Sequence, residues 1–217
     1  MMKRYIAVFI GLFTFSQIVW CEDMKETQLP KPRLKGTVSV EEAIQKRRSA
    51  RSYSRKDISP EDISQLLWAC QGITDGRRGY RSAPSAGALY PLEIYLAKAD
   101  GLFHYIPEGH RLEIISDKDP RPELADAAYR QHYVAEAGID IIIAAVYGRV
   151  TSKYADRGIR YTDMEAGHAA QNVFLQASAL GLWSVPIGAF DDAAVARILK
   201  LPRDSKPLYI LPVGYKK

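Results

Sequence analysis

Several short groups of residues in this sequence have types and spacings suited to chemistry. Arg47, Arg48, Ser49 and Arg51 put three guanidiniums and a hydroxyl within one turn of chain. Such a group can make bidentate contacts to a phosphate and bond the polyol attached to it. The same residues could also be a solvated helix end whose cations complement the C-terminal dipole. The run Ser82-Ala83-Pro84-Ser85-Ala86-Gly87-Ala88-Leu89-Tyr90-Pro91 is dominated by small residues. These let backbone approach a flat ligand closely, and the prolines stiffen the run. Val185-Pro186-Ile187-Gly188-Ala189-Phe190 has the same character, and Gly214-Tyr215-Lys216-Lys217 is a cationic chain end. Lys153-Tyr154 pairs an amine with a phenol, and Arg160-Tyr161 follows seven residues on.

Two other chemistries need parts the chain does not provide. Ala83-x-Ser85-x-Gly87 resembles a nucleophile elbow, and Asp140 and His168 follow in the order of an α/β-hydrolase triad. An elbow requires a hydrophobic strand directly before the serine. Here the preceding residues, 75–81, are polar and contain glycine. Glu165-x-x-His168 has the helical spacing of a di-iron ligand pair, but such a site needs a second copy and two further carboxylates on facing helices. His104, His110 and His132 show no ligand spacing, so no metal is expected. His168 is read as a buried, hydrogen-bonded histidine or as part of an organic cofactor's surroundings.

These groups need elements to position them. Ser39 and Glu42 form a capping box that opens a helix running toward Arg47. Ser59-Pro60-Glu61-Asp62 starts a second helix, with Ile63, Leu66, Leu67 and Cys70 on one face and Gly72 at its end. Residues 75–82 read as a polar loop. Runs at 92–97, 102–106 and 111–115, parted by glycine and proline, read as an antiparallel meander. A helix is expected over 122–133. The apolar run 139–147 reads as a central strand buried on both faces. Small residues on all sides of 161–180 predict a long buried helix ending at Gly181, with Lys153-Tyr154 on an exposed connector before it. A strand over 183–187, a helix capped by Asp191 and a last strand over 208–213 complete the list. The irregular mixture of helices and strands indicates an α+β fold.

The first twenty or so residues read as an address. Lys3 and Arg4 precede an uncharged apolar run, Tyr5 to Trp20, which suits a secretory signal and is short for a membrane span. Cys21 ends the run, so residues 1–21 are either a cleaved signal or a lipoprotein signal with Cys21 as the lipidated residue. Export to the periplasm, or anchoring there, is the expected localisation, with no integral membrane domain after processing. Residues 22–38, polar and carrying Pro30 and Pro32, read as a linker to a domain over 39–217. The whole chain has 217 residues, 47% hydrophobic and 25% charged, an ordinary globular composition rather than a disordered or disulfide-dense one. Its formal charge of +5 is spread along the chain apart from the local arginine groups, which argues against nucleic acid as a partner.

Taken in order, Arg47-Arg48-Ser49-x-Arg51, Pro84 to Pro91, Arg160-Tyr161 with Glu165-x-Gly167-His168-x-x-Gln171-Asn172, Val185 to Asp191 and Val213-Gly214-Tyr215 resemble the nitroreductase family. They resemble more closely its branch of SagB-type dehydrogenases, which contains the azoline oxidases. The resemblance implies a nitroreductase-like α+β fold with a central antiparallel or mixed sheet flanked by helices, an intertwined homodimer and FMN as cofactor. By the same resemblance, Arg47, Arg48, Ser49 and Arg51 would hold the phosphate and ribityl chain. Pro84, Ser85, Ala86, Gly87 and Leu89 would cover the ring from the other protomer. Pro186, Ile187, Gly188 and Ala189 would offer backbone N–H groups to the flavin, and Lys216 would reach the phosphate. Lys153 and Tyr154 would move the proton in a ping-pong hydride transfer to or from a small organic molecule, with NAD(P)H as a candidate donor. The rival readings are a flavin-binding protein without turnover and an exported serine hydrolase.

Overall fold

The computed structural model describes residues 26–217. The expectations for the signal and for Cys21 fall on residues outside this range. The central element is β7 (Ile139–Val146), and its sequence explains its place. Ile139, Ile141 and Ile143 point to one face and Ile142 and Ala144 to the other, and all five are buried. A strand with two apolar faces needs cover on both sides.

β7 lies between β4 (Leu92–Lys98) and β9 (Ser205–Gly214). The meander continues from β4 to β5 (Gly101–Ile106) and β6 (Arg111–Ser116). On the far edges lie β1 (Glu26–Gln28) and β8 (Trp183–Ser184). The seven-stranded sheet runs β1-β6-β5-β4-β7-β9-β8, with every pairing between these strands antiparallel. A separate hairpin, β2 (Ile73–Asp75) with β3 (Tyr80–Arg81), fills part of the region expected as loop.

One face of the sheet is covered by α2 (Pro60–Gln71) and α6 (Arg157–Ala179), which share one core with Ile94, Ile141 and Leu211. The α2 start follows its sequence signals: Ser59 caps the Asp62 N–H at 3.2 Å and Pro60 occupies the first turn. Leu66 and Leu67, both fully buried, face α6 and the sheet. The other face carries α3 (Arg121–Ala127), α4 (Tyr133–Glu136) and α7 (Asp192–Ile198), packed around Leu124, Val134, Ile142 and Val195. The short α1 (Val40–Lys46) buries only Ala43, and its Ser39 cap holds the Glu42 N–H at 3.1 Å.

Several expectations need correction. The helix expected over 122–133 is two helices, because Tyr129 and Arg130 adopt φ of 56° and 62° and turn the chain between them. The long helix begins at Arg157, and it is buried on one face only; Ile159, Met164, Gly167 and His168 lie exposed on the other. Lys153 and Tyr154 close a separate helix, α5 (Gly148–Tyr154), rather than standing on a connector. Ala155 at φ 47°, ψ −138° breaks α5 from α6. A Cβ at Gly158 would stand 2.7 Å from the Thr151 backbone nitrogen, so the two helices meet through bare backbone. Part of the stretch 22–38 read as a linker is also structured: β1 pairs with β6, Leu29 is buried, and the Ser64 hydroxyl donates to the Pro30 carbonyl at 2.5 Å. The chain after Ser184 leaves the sheet and returns at Ile187, which exchanges two backbone hydrogen bonds with Ile210.

Candidate functional site

The expected site residues gather into two groups. The first forms where α1 ends beside β8. An isolated parallel bridge joins Ser49 to Ser184, and an antiparallel one joins Tyr53 to Lys216. Arg47 and Arg48 line a cavity of about 500 Å³ with Lys46, Phe174, Trp183 and Ser184. Lys216 Nζ lies 4.7 Å from the centre of the Trp183 ring. Arg48 donates to the Gln45 and Arg47 carbonyls at 2.9 and 2.7 Å, which curls it over the end of α1. Ser184 Oγ is buried without a partner at the same place. The sequence placed Trp183 and Ser184 on a strand but not at the site, since nothing in their local pattern separates them from any short strand.

The second group is the small-residue turn from Pro84 to Tyr90, part of it a 3₁₀ turn at Ala86–Ala88. Gly87, Ala88 and Tyr90 have φ of 63°, 54° and 44°. For Ala88 and Tyr90 that conformation is strained, and such strain concentrates at functional sites when the surroundings enforce it. The surroundings here are specific. Ser85 Oγ accepts the Tyr90 N–H at 2.9 Å, and Arg149 donates to the Tyr90 carbonyl at 3.0 Å. The Arg81 guanidinium lies 4.7 Å from the Tyr90 ring centre, and the Arg81 N–H donates to the Tyr90 hydroxyl at 3.2 Å.

Lys153 and Tyr154 stand directly over this turn. A Cβ built on Gly87 would lie 2.8 Å from the Tyr154 hydroxyl and 3.1 Å from Lys153 Nζ. Glycine suits the position for its φ of 63°, and a methyl there would push the ends of the Tyr154 and Lys153 side chains aside. Tyr154 is held edge-on by Tyr161, with ring centres 5.4 Å apart. The end of α5 thus aims an amine and a phenol at one backbone segment some sixty residues earlier in the chain. Glu165, on α6, is buried close to the same turn.

The walls of the cavity at Arg47 and Arg48 include none of residues 84–90, 153 or 154. Within the chain the two groups do not share this cavity. Arg51, Pro186, Gly188 and Ala189 are exposed, Ile187 is buried, and the Ala189 carbonyl accepts Gln131 Nε2 at 3.1 Å.

The hydrolase constellation does not assemble. Asp140 is fully buried and on the same side of β7 as Ile142 and Ala144, the face covered by α3 and α7. Ser85 belongs to the turn held against the opposite face, and its hydroxyl oxygen is engaged by Tyr90. His168 is exposed on α6, which rules out the first of its two expected roles, a buried hydrogen-bonded histidine. Burial raises the Asp140 carboxyl well above the usual range, with Arg121 opposing and Asp119 adding to the rise.

Fold and site groups together describe an α+β protein with a covered antiparallel sheet and an arginine-lined cavity. The chain belongs to the nitroreductase family, whose sequence model matches residues 44–215. It is 44% identical over 200 residues to the protein named as nitroreductase MJ1384 of Methanocaldococcus jannaschii, covering 89% of this chain and 98% of that one. It is 25% identical over 173 residues to the microcin B17-processing protein McbC of Escherichia coli, covering 72% of this chain and 62% of McbC. The NADPH-flavin oxidoreductase of Vibrio harveyi matches at 30% over 109 residues, 46% of this chain and 45% of that protein. Among solved structures, a nitroreductase-titled protein from Ralstonia eutropha superposes with a TM-score of 0.81 at 26% identity, covering 88% of this chain and 90% of that one. The family gives the protein the standing of an oxidoreductase.

Proposed function

We propose that the protein is an FMN-dependent oxidoreductase, closest in chemistry to the SagB-type branch, that passes hydride to or from a small organic molecule in two successive half-reactions. The observation that carries this reading is the placement of Lys153 and Tyr154 over the glycine of the Ser85–Tyr90 turn. A bound flavin would supply the hydride chemistry, so the protein needs an anion anchor, a close-fitting surface and a proton-handling group. Each has a counterpart among the residues present. Arg47, Arg48, Ser49 and Lys216 offer charge-assisted donors at a cavity mouth, suited to a phosphate. The turn offers bare backbone to a flat ring. Lys153 and Tyr154 offer a proton donor and acceptor at its edge.

The two groups read as half-sites and support assembly from two copies of the chain, the arginines of one protomer completed by the turn of its partner. The exposed faces favour this. Val40 and Ile44 on α1 and Ile159 and Met164 on α6 are 46–64% exposed, apolar side chains that a second copy could cover. The name of the Vibrio relative supports a flavin and NADPH as the electron donor.

Two variants separate binding from chemistry. Arg48→Ala should weaken retention of FMN by about tenfold or more, as expected for a lost charge-assisted contact. Lys153→Ala should bind FMN as the natural protein does and lower turnover with a substrate that requires proton transfer by about a hundredfold. A Lys153→Ala protein with unchanged turnover on such a substrate would remove the catalytic assignment.

A further inference from the structure

Glu165 opens the E-x-x-H motif, and neither the flavin reading nor a metal site uses it. It is 2% exposed, on the face of α6 that packs on the C-terminal end of α2. Gln71, at that end, is fully buried and donates its amide to Glu165 Oε1 at 3.4 Å. The remaining oxygens, Glu165 Oε2 and Gln71 Oε1, are both buried without a partner. An ionised carboxylate can be served by the Ser85 hydroxyl and the Gln71 amide, but it leaves Gln71 Oε1 facing only acceptors, with no donor for it. A proton on Glu165 supplies the missing donor: the acid hydroxyl is offered to Gln71 Oε1 while the amide is offered to the carboxyl, a reciprocal pair.

The pair bears on the site through Ser85. The Ala86–Ala88 turn that follows Ser85 packs on α6, which carries Glu165, and Ser85 Oγ accepts the Tyr90 N–H that closes the strained turn. Burial raises the Glu165 carboxyl above its usual range, opposed by the Ser85 and Gln71 side chains and by the charge of Arg81. Arg81, from β3, is the charged group that acts on it, and it is tied to Glu108 at 3.3 Å.

We infer that Glu165, held as the neutral acid against Gln71, is a positioning residue that fixes the Ser85–Tyr90 turn and so presents Gly87 beneath Lys153 and Tyr154. Ionisation would add the desolvation cost of a charge between α2 and α6 and leave Gln71 Oε1 without a donor, and so loosen the packing that holds the turn. The inference relies on the flavin reading only for the use to which the turn is put.

Hydrogen exchange of the full chain without flavin tests it, read over residues 85–90 and corrected for intrinsic base catalysis, from about pH 5 to about pH 9. At the acid end, wild type and Glu165→Gln should protect this segment alike, because a carboxamide can pair with Gln71 as the acid does. Glu165→Ala should exchange about tenfold faster there. As pH rises, wild type should lose protection and Glu165→Gln should keep it. Parallel curves for wild type and Glu165→Gln would overturn the neutral acid, and wild-type protection in Glu165→Ala would overturn the positioning role. Should Glu165→Ala fail to fold, the Glu165→Gln comparison still decides. The measurement needs no cofactor, so a chain that shows the expected pattern and binds no FMN would refute the flavin reading alone.

Discussion

At the scale of single residues, the account depends on contacts too close to be interchangeable. Gly87 is the clearest case, because its φ of 63° and the Tyr154 hydroxyl 2.8 Å from its missing Cβ act together. Gly87→Ala should therefore lose stability by about 1–3 kcal/mol, measured by urea unfolding, and should displace Lys153 and Tyr154. The sequence showed that glycine in a small-residue run and the Lys153-Tyr154 pair, sixty-six positions apart, but nothing local said that they touch. Arg81 and Arg149, which hold Tyr90 and so the turn, were missed for the same reason: an arginine stacked on a tyrosine looks in sequence like any exposed cation. His168 shows the opposite failure. Of the two roles its motif suggested, burial and a place beside a cofactor, the first falls because the helical face that carries it is turned outward.

At the scale of elements, the segments with period or caps of their own were legible. The β7 run, the Ser59-Pro60 start of α2, the Ser39 cap of α1 and the β4–β6 meander stand where the pattern put them. Ser59→Ala should cost about 1 kcal/mol through the lost cap on α2, measured by urea unfolding. Breaks without glycine or proline were not legible. Tyr129, Arg130 and Ala155 take positive φ, and no glycine or asparagine in the sequence announces the turn there. Glu26–Gln28 looked like tether because a three-residue edge strand has no period to detect. Asp140 gives the central strand a pH dependence. Its folded carboxyl is raised by burial, so the neutral form favours folding; that contribution is complete below the ordinary carboxylate range and is lost as pH rises through the folded value. Asp140→Asn should gain on wild type in melting temperature as pH rises from about 4 toward neutrality, whereas a constant difference would show that Asp140 is ionised in the fold.

At the scale of the whole molecule, the proposal divides each site between two chains. Lys153 and Tyr154 belong to the same half-site as Gly87, and Arg48 belongs to the other. Arg48→Ala and Lys153→Ala chains, each weak alone, should therefore complement one another. After unfolding and refolding an equal mixture, half the dimers are hybrids and each hybrid has one intact site, so activity should return to about a quarter of the natural level. Sites built within single chains would give no recovery. Mass by light scattering should match two copies. The central claim is that these half-sites hold FMN and exchange electrons through it, and the most direct measurement is the absorption spectrum of protein loaded with FMN, freed of unbound flavin and titrated with NADPH without oxygen. Flavin absorbance should stay with the protein, bleach as NADPH is added and return when air is admitted. Flavin that separates from the protein, or bound flavin whose colour no reduced nicotinamide discharges, would contradict it.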